Sequence, residues 1–493
     1  MTAFTRSGNA VGSTLVPSEL LIGGRWRPAS DGARFEVRDP ATDLPIAGVA
    51  DASPADGLLA LEAAEDAAAD WRAVPPIERG ELLRRVFETI TERREEFALV
   101  LSTEMGKPME EARGEVRYGA EFLRWFSGEA VRVHGRYSVA PDGASRHLVH
   151  RKPVGPCLLI TPWNFPLAMI TRKVGPALAA GCTVVLKPSE LTPLSALLTA
   201  EVFQAAGLPP GVLNVITTTK AASVVTPLLR SHRLRKISFT GSTEVGRRLL
   251  ADSAGTVLRT SMELGGDAPF LVFEDADIEA AVDGAMIAKM RNMGEACTAA
   301  NRFLVHEKVA EEFAAALAMR MGALTVGPAA DEGSEVGPLI DARSRDKVHG
   351  LVTDALDRGA RLVTGGGPLP GPGHFYAPTV LCGIPADARL MTEEIFGPVA
   401  PILTFRDERE AIRLANATPY GLAAYAYTRD LGRVTRLTEE LETGMLAINS
   451  GLLSDAAAPF GGVKQSGLGR EGGAEGIAEY LETTYVRLPG PVS

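Results

Sequence analysis

The sequence has few cysteines, and none lies near another. The four are Cys157, Cys182, Cys297 and Cys382, and no CxxC occurs. Disulfide frameworks and zinc knuckles need paired or clustered cysteines, so both are excluded, and this usage suits a reducing compartment. The seven histidines are also scattered, and no acidic cluster joins the one close pair, His147 and His150. We therefore expect no metal site.

A surplus of positive charge is also missing. Lysine and arginine total 51 against 61 acidic residues, a net charge of −10 at pH 7. This balance argues against a nucleic-acid partner, although a few local arginines can still hold a small anion. No apolar run is long enough to span a bilayer, and the first 20 residues lack the apolar segment of a secretory signal. We expect a cytoplasmic protein without a membrane partner.

The length and composition indicate more than one domain. A chain of 493 residues is too long for one ordinary core, and 45% apolar with 23% charged residues is typical of soluble globular proteins. Residues 1–20 are small and polar and predict a loose arm. Gly23-Gly24 predicts a hairpin turn. Ser53, Pro54 and Asp56 predict a capped helix start, and alanine-rich helices follow to about residue 130.

Residues 155–250 have a different pattern, in which short apolar runs alternate with helical stretches. The apolar runs are 157–161, 183–187, 212–216 and 237–240, and the helical stretches include 167–180 and 193–206. Continuous apolar strands between helices predict a parallel sheet covered on both faces, the doubly wound nucleotide-binding architecture. No GxGxxG is present. The nearest feature is the stretch from Gly241 to Gly246, where a strand gives way to a helix and backbone N–H groups can face an anion. A second α/β region begins near residue 270, with strand-like runs at 270–273, 303–306 and 445–449.

Two residues have the chemistry to oxidise an aldehyde through a covalent thioester. Cys297 follows Gly294 among polar residues, and a thiolate is nucleophilic near neutral pH. Glu263 stands between apolar residues and before Gly265-Gly266, where partial desolvation would raise its pKa toward that of a general base. A buried small side chain and a salt-bridged or solvated carboxylate are the ordinary alternatives.

Two turns at predicted strand ends carry further polar groups. In Thr161-Pro162-Trp163-Asn164-Phe165-Pro166, two prolines lock a turn whose Asn164 carboxamide can donate to a developing oxyanion, with ordinary turn chemistry as the alternative. Lys187-Pro188-Ser189-Glu190 also ends a strand, where open α/β sheets bind ligands.

Together, these segments resemble the signatures of the aldehyde dehydrogenase superfamily. FTGSTEVG, the segment from Glu394 to Pro398 and the segment from Pro459 to Gly462 share that resemblance, which runs from about Leu21 to Val486. It implies Cys297 as nucleophile, Glu263 as general base, and Asn164 with the Cys297 backbone N–H as oxyanion donors. It also implies a set of residues that bind NAD(P): Thr161, Pro162, Trp163, Lys187, Ser189, Glu190, Gly241, Ser242, Leu264, Glu394 and Phe396.

Within that set the resemblance gives individual roles. Lys187 would hold the adenine-side ribose, Ser242 would lie at the helix start that binds the pyrophosphate, and Glu394 and Phe396 would position the nicotinamide ribose and ring. A carboxylate at Glu190 favours NAD, with NADP possible, because it accepts hydrogen bonds from a ribose 2′-OH and repels a 2′-phosphate.

A finer resemblance is to succinate-semialdehyde dehydrogenases. It implies that Arg172, Arg291 and Ser454 bind the distal carboxylate of the substrate, as guanidinium groups do well, while internal salt bridges are the alternative. Ala299 stands where many such enzymes have a second cysteine, so a local disulfide switch is not expected. Glu295 replaces the family's usual glutamine and would raise the pKa of the Cys297 thiol if it faced it.

The sequence thus predicts an α/β subunit with a doubly wound, Rossmann-like cofactor domain (21–130 and 153–264), a second α/β catalytic domain (265–465) and a small β oligomerisation arm (131–152 and 466–493). The expected substrate is succinate semialdehyde or a close ω-carboxy aldehyde, and the expected assembly is a homodimer or homotetramer. A broad aldehyde dehydrogenase, and a non-catalytic member of the fold, are the alternatives.

Overall fold

The computed structural model describes residues 8–12 and 14–490. The strands are β1 (Gly8–Val11), β2 (Thr14–Pro17), β3 (Leu20–Ile22), β4 (Arg25–Arg27), β5 (Arg34–Arg38), β6 (Pro45–Ala50), β7 (Arg136–Val139), β8 (Ser145–Pro153), β9 (Cys157–Ile160), β10 (Val184–Lys187), β11 (Leu213–Val215), β12 (Lys236–Thr240), β13 (Arg259–Glu263), β14 (Ala268–Val272), β15 (Ala300–His306), β16 (Arg361–Thr364), β17 (Thr379–Cys382), β18 (Val399–Phe405), β19 (Ala423–Tyr427), β20 (Met445–Ile448), β21 (Gly467–Leu468) and β22 (Leu481–Pro489).

The helices are α1 (Pro54–Ala73), α2 (Pro76–Glu92), α3 (Arg94–Met105), α4 (Met109–Glu129), α5 (Pro166–Ala180), α6 (Leu194–Ala205), α7 (Ala221–Leu229), α8 (Thr243–Ser253), α9 (Ile278–Met290), α10 (Ala310–Gly322), α11 (Ala342–Asp357), α12 (Glu408–Asn416), α13 (Leu431–Glu440) and α14 (Gly473–Ala478). In the described part of the chain no helix is both long and apolar enough to cross a membrane.

An eight-stranded sheet forms the first half of the molecule, in the order β21-β13-β12-β9-β10-β11-β3-β4. The five strands from β13 to β11 are parallel to one another, whereas β21 pairs antiparallel with β13, β3 with β11, and β4 with β3. Chain order reverses between β9 and β12, because β10 and β11 follow β9 on one side and β12 and β13 lie on the other. Such a switch point is where open α/β sheets bind ligands at their carboxyl ends.

Both faces of this sheet are buried, as its uninterrupted apolar strands predict. Alternate residues of β9 point to opposite sides: Leu159 packs in one core with helices α2 to α6, and Leu158 packs in a second core with α1, α7 and α8. The doubly wound architecture predicted from the alternation is therefore confirmed. Local predictions hold as well, because Gly23 and Gly24 turn the β3–β4 hairpin with φ of 60° and 76°, and Ser53 with Asp56 forms the capping box of α1.

A seven-stranded sheet forms the second half, in the order β16-β17-β18-β15-β14-β19-β20, with only the edge strand β16 antiparallel. Phe270 and Phe303 pack on one face with α9, α10 and α11, and Leu271 and Leu304 pack on the other with α12 and α13. This is the predicted second α/β region.

Two predictions at the chain ends need correction. The loose arm over 1–20 is wrong for residues 8–12 and 14–20, since β1 and β2 form a hairpin in which Val11 and Val16 are buried. Residues 1–7 and 13 lie outside the described residues. Although the stretch is polar overall, its few apolar side chains pack into the core, which explains why the composition did not predict the hairpin.

The predicted oligomerisation segment 466–493 divides into two parts. Residues 466–480 belong to the first half of the molecule: β21 pairs with β13, and Trp125 of α4 donates its indole N–H to the carbonyl of Gly473 at 3.0 Å. Strand β22 joins β7 and β8 in a separate three-stranded sheet on which Tyr137, Val139 and Tyr485 are exposed. The role of this small sheet in oligomerisation stays a prediction.

Candidate active site

A cavity of about 240 Å³ opens where loops of the two large sheets meet. Its lining includes twelve of the residues singled out in the sequence: Pro162, Trp163, Asn164, Arg172, Gly241, Ser242, Leu264, Arg291, Cys297, Glu394, Phe396 and Ser454. Five others lie outside the cavity lining: Thr161, Lys187, Ser189, Glu190 and Glu263. Within the described residues, no group of three or more His, Cys, Asp or Glu side chains is placed to hold a metal ion.

The loop before Cys297 adopts a conformation that is costly for ordinary residues. Asn292 and Met293 have φ of 55° and 54°, and Gly294 has φ of 77°. A Cβ added at Gly294 would lie 2.3 Å from the carbonyl oxygen of Gly397, so only glycine fits there. The Asn292 carboxamide donates to the carbonyls of Asn164 and Glu295, each at 3.0 Å, and thereby holds the loop. Left-handed residues held this firmly are typical of functional sites.

The Cys297 thiol lies at the cavity wall and is half-buried. Burial raises the pKa of this thiol to about 12, although the nearby Arg172 guanidinium lowers it. The raised pKa therefore favours the protonated thiol at neutral pH. Any attack by its sulfur requires that proton to leave.

The oxyanion candidate Asn164 is fixed through its backbone. Its carbonyl accepts a hydrogen bond from the Lys107 ammonium at 2.8 Å, and Lys107 forms a fully buried ion pair with Glu115. Glu115 also accepts the backbone N–H groups of Leu167 and Ala168 at the start of α5. The Asn164 carboxamide donates one hydrogen bond to the Glu295 carbonyl at 2.9 Å, which leaves its second N–H available.

Glu263 is buried beside the cavity rather than at its wall. Burial raises the pKa of its carboxyl well above the usual value, and the charge of Glu471 adds to that rise. One carboxyl oxygen has no hydrogen-bond partner, and no cation of the described residues lies within salt-bridge distance of Glu263. The sequence alternatives of a salt-bridged or solvated glutamate are therefore wrong, and desolvation is confirmed.

Glu471 was missed by sequence reasoning, although it organises the charges behind the site. It forms buried ion pairs with Arg172 at 2.6 Å and with Lys173 at 2.5 Å. It lies 298 residues from Lys173 along the chain. No local pattern indicates such a contact, and only the return of the chain through β21 brings these residues together.

Residues from both halves of the molecule line the part of the cavity near the switch point. Ser242 caps α8 beside the switch point, its Oγ accepting from the Val245 N–H at 3.4 Å, and helix starts of this kind attract phosphate. Glu394 accepts the Gly266 N–H at 3.0 Å, and burial raises the pKa of its carboxyl to about 7. The Phe396 ring lies 5.3 Å from Trp163 in an edge-to-face contact.

Lys187 and Glu190 lie at the end of β10, outside the cavity lining. Their side chains pair at 3.3 Å, and Lys187 is buried whereas 44% of the Glu190 side chain is exposed. An exposed carboxylate at the carboxyl edge of the sheet is free to accept hydrogen bonds from a hydroxyl-bearing ligand.

The two arginines predicted to bind substrate have different surroundings. Arg172 is almost fully buried, forms a salt bridge with Glu471 and lies 4.0 Å from the centre of the Phe460 ring. The internal salt bridge that the sequence left open as an alternative is therefore present for this arginine. Arg291 donates to the Ser454 hydroxyl at 3.0 Å and lies over the rings of Tyr118 and Phe165. Among the described residues, no carboxylate lies within 4.0 Å of its guanidinium nitrogens. Arg291 is thus a cavity cation without a salt bridge, although the Glu111 carboxyl lies close enough to feel its charge.

Glu295, which stands where the family usually has glutamine, does not place its carboxyl in contact with the Cys297 thiol. The carboxyl of Glu295 is fully buried and accepts the Ile340 N–H at 3.1 Å. Burial raises the pKa of this carboxyl well above its usual value, which favours its neutral form. The residue joins the nucleophile loop to a neighbouring loop instead.

Comparisons with known proteins agree with this geometry. The sequence model of the aldehyde dehydrogenase family matches residues 26–486. A succinate-semialdehyde dehydrogenase of Paenarthrobacter nicotinovorans is 60% identical over 90% of this chain and 99% of its own length. A glutarate-semialdehyde dehydrogenase of Pseudomonas aeruginosa is 46% identical over 97% of this chain and 98% of its own. The crystal structure of an NADP-dependent enzyme of Escherichia coli superimposes with a TM-score of 0.95 at 45% identity, covering 96% of this chain and 98% of that one.

Proposed function

The chain belongs to the aldehyde dehydrogenase family, and we propose that it oxidises a short aldehyde with a distal carboxylate, succinate semialdehyde or glutarate semialdehyde, to the dicarboxylate. The observation that carries this substrate class is Arg291, a cavity arginine held by Ser454 and two aromatic rings, with no carboxylate of the described residues within salt-bridge distance. A substrate carboxylate would supply the salt-bridge partner that Arg291 lacks. Arg172 adds positive charge nearby, although it is shared with Glu471.

Three residues would carry the chemistry. The thiol proton of Cys297 passes to water in the open cavity, and the sulfur then attacks the aldehyde carbon and forms a C–S bond as the C=O π bond breaks. The oxyanion that develops accepts hydrogen bonds from the free N–H of Asn164 and the Cys297 backbone N–H. After the carbon has lost its hydride, a thioester remains on Cys297. Glu263 takes a proton from water, whose oxygen then displaces the sulfur and releases the acid.

The bound cofactor would supply the hydride acceptor. Ser242 and the start of α8 would hold its pyrophosphate, Lys187 and Glu190 its adenine-side ribose, and Glu394 and Phe396 its nicotinamide end. Thr161, Pro162, Trp163, Ser189, Gly241 and Leu264 complete the proposed cofactor site. Gly265 supports this fit, since an added Cβ would lie 3.2 Å from both Glu394 and the Thr243 hydroxyl.

We predict that the enzyme prefers NAD and that Glu190→Ser shifts this preference toward NADP. The Glu190 carboxylate would repel a 2′-phosphate, and its removal also frees the Lys187 ammonium, which it now pairs at 3.3 Å. We expect the ratio of kcat/KM for NADP to that for NAD to rise by about tenfold, the effect of removing one screened like-charge contact. Initial rates with each cofactor at saturating aldehyde measure it. A wild-type efficiency with NADP equal to that with NAD would contradict the argument.

We predict that Arg291→Ala penalises acidic aldehydes selectively. A hydrogen bond to a charged group contributes about 1.5–3 kcal/mol, so kcat/KM for succinate semialdehyde should fall by about 10- to 150-fold. Butanal has no carboxylate and serves as the control, because damage to the nucleophile loop would lower both rates. If kcat/KM fell equally for both aldehydes, Arg291 would not select acidic substrates, and the enzyme would be a general aldehyde dehydrogenase. Arg172→Ala should differ, because it deprives Glu471 of a partner behind the site and lowers the rates with both aldehydes.

A further inference from the structure

The side chain of Tyr118 forms the part of the cavity wall next to Arg291. We propose that the Tyr118 hydroxyl donates a hydrogen bond to the distal carboxylate of the aldehyde, so that Tyr118, with Arg291 and Ser454, determines the preference for acidic substrates. The proposal rests on the proposed function and adds to it a neutral donor that neither the sequence motifs nor the comparisons indicate.

The position of Tyr118 is fixed by its helix. One turn before it on α4, Glu115 accepts the Leu167 and Ala168 N–H groups and so joins α4 to α5. One turn after it, the Phe122 ring is fully buried and meets the Tyr118 ring edge to face at 5.0 Å. A side chain held on both sides in this way presents its hydroxyl with little conformational freedom to lose on binding.

Tyr118 lies at the end of the cavity where the distal group of a substrate would be. It lines the active-site cavity together with Cys297 and Ser454. Tyr118 and Ser454 also line two outer cavities, of about 330 Å³ and 600 Å³, to which Cys297 does not contribute. The aldehyde carbon must reach Cys297, so a carboxylate at the other end of the molecule points toward these two hydroxyls.

The donors around this position complement a carboxylate. The Arg291 guanidinium lies 5.4 Å from the centre of the Tyr118 ring, which orients the cation without using the hydroxyl. In the part of the chain that the structure describes, the Tyr118 hydroxyl has no hydrogen-bond partner. The Ser454 oxygen accepts from Arg291, which leaves its own O–H to donate. A carboxylate has about four acceptor sites, enough for Arg291, Ser454 and Tyr118 together.

The test is Tyr118→Phe, which removes the hydroxyl and keeps the ring under Arg291. Steady-state kinetics are measured with succinate semialdehyde and with butanal, in the wild type, in Tyr118→Phe and in Tyr137→Phe. The last is a matched control, because it deletes the hydroxyl of an exposed tyrosine on the three-stranded sheet. We expect Tyr118→Phe to raise the KM for succinate semialdehyde and lower its kcat/KM by about tenfold, with kcat and the butanal kinetics unchanged.

The outcomes separate this proposal from the proposed function. If the wild type does not prefer succinate semialdehyde to butanal, the assignment of an acidic substrate is wrong whatever Tyr118 does. If the wild type has that preference and Tyr118→Phe keeps it in full, the hydroxyl does not bind the carboxylate and the inference is overturned. Equal losses with both aldehydes in Tyr118→Phe would also overturn it, because they would mean that Tyr118 only supports the cavity.

Discussion

Cys297→Ala is expected to abolish aldehyde oxidation while leaving the fold and cofactor binding intact. The side chain is half-buried at the cavity wall and makes no hydrogen bond within the described residues, so its loss removes the nucleophile and little else. Removing a covalent nucleophile lowers kcat by about 10⁶-fold in a well-studied protease, and a loss of that order would place turnover below detection. Production of NADH from succinate semialdehyde measures turnover, and fluorescence titration measures cofactor binding.

Cys382→Ala is the matched control for this variant. Cys382 is a buried cysteine in β17 that does not line the cavity. The same substitution should therefore lower the free energy of unfolding slightly, because it leaves a small cavity in the core, and should preserve turnover. If Cys297→Ala retained substantial oxidation, or if Cys382→Ala lost as much, Cys297 could not be the nucleophile.

The doubly wound half of the fold could be predicted from the sequence because its signal is local. Each strand from β9 to β12 is a short apolar run between helices, and burial on both faces is what makes such a run uninterrupted. The Gly23-Gly24 turn and the Ser53 cap were predictable for the same reason, since each depends on residues within one turn. The N-terminal hairpin was not, because Leu15-Val16 is too short an apolar run to indicate a strand, and the burial of Val16 depends on distant helices.

The site was predictable where it lies on short motifs and was not where it depends on distant contacts. Asn164 and Cys297 stand in recognisable turns, and the structure brings both to one cavity. The hydrogen bond from Lys107 to the Asn164 carbonyl and the pairing of Glu471 with Arg172 join segments far apart in the chain. Likewise, the sequence could not decide between a free and a salt-bridged arginine. In the structure Arg172 forms a salt bridge with Glu471, whereas Arg291 forms none with the described residues.

Glu263→Gln is expected to separate formation of the thioester from its hydrolysis. Loss of the hydride from the carbon bound to Cys297 requires no activated water, whereas release of the acid does. The variant should give a rapid burst of NADH close to one equivalent per active site, followed by a steady state slowed by about 10²- to 10⁴-fold, the usual contribution of a general base. Stopped-flow absorbance at saturating cofactor and aldehyde records both phases.

The pH dependence of the slow step gives a second measure of the same role. Burial raises the pKa of Glu263 well above its ordinary value, and only the deprotonated carboxylate can accept a proton from water. Wild-type hydrolysis should therefore quicken as the pH rises through that elevated pKa, and Glu263→Gln should lose this rise. Glu295→Gln is the matched control, since Glu295 is a buried carboxyl with a raised pKa that contacts the Ile340 N–H and not the thiol. A fall of single-turnover and steady-state rates by the same factor in Glu263→Gln, with no burst, would show that Glu263 does not act in hydrolysis alone.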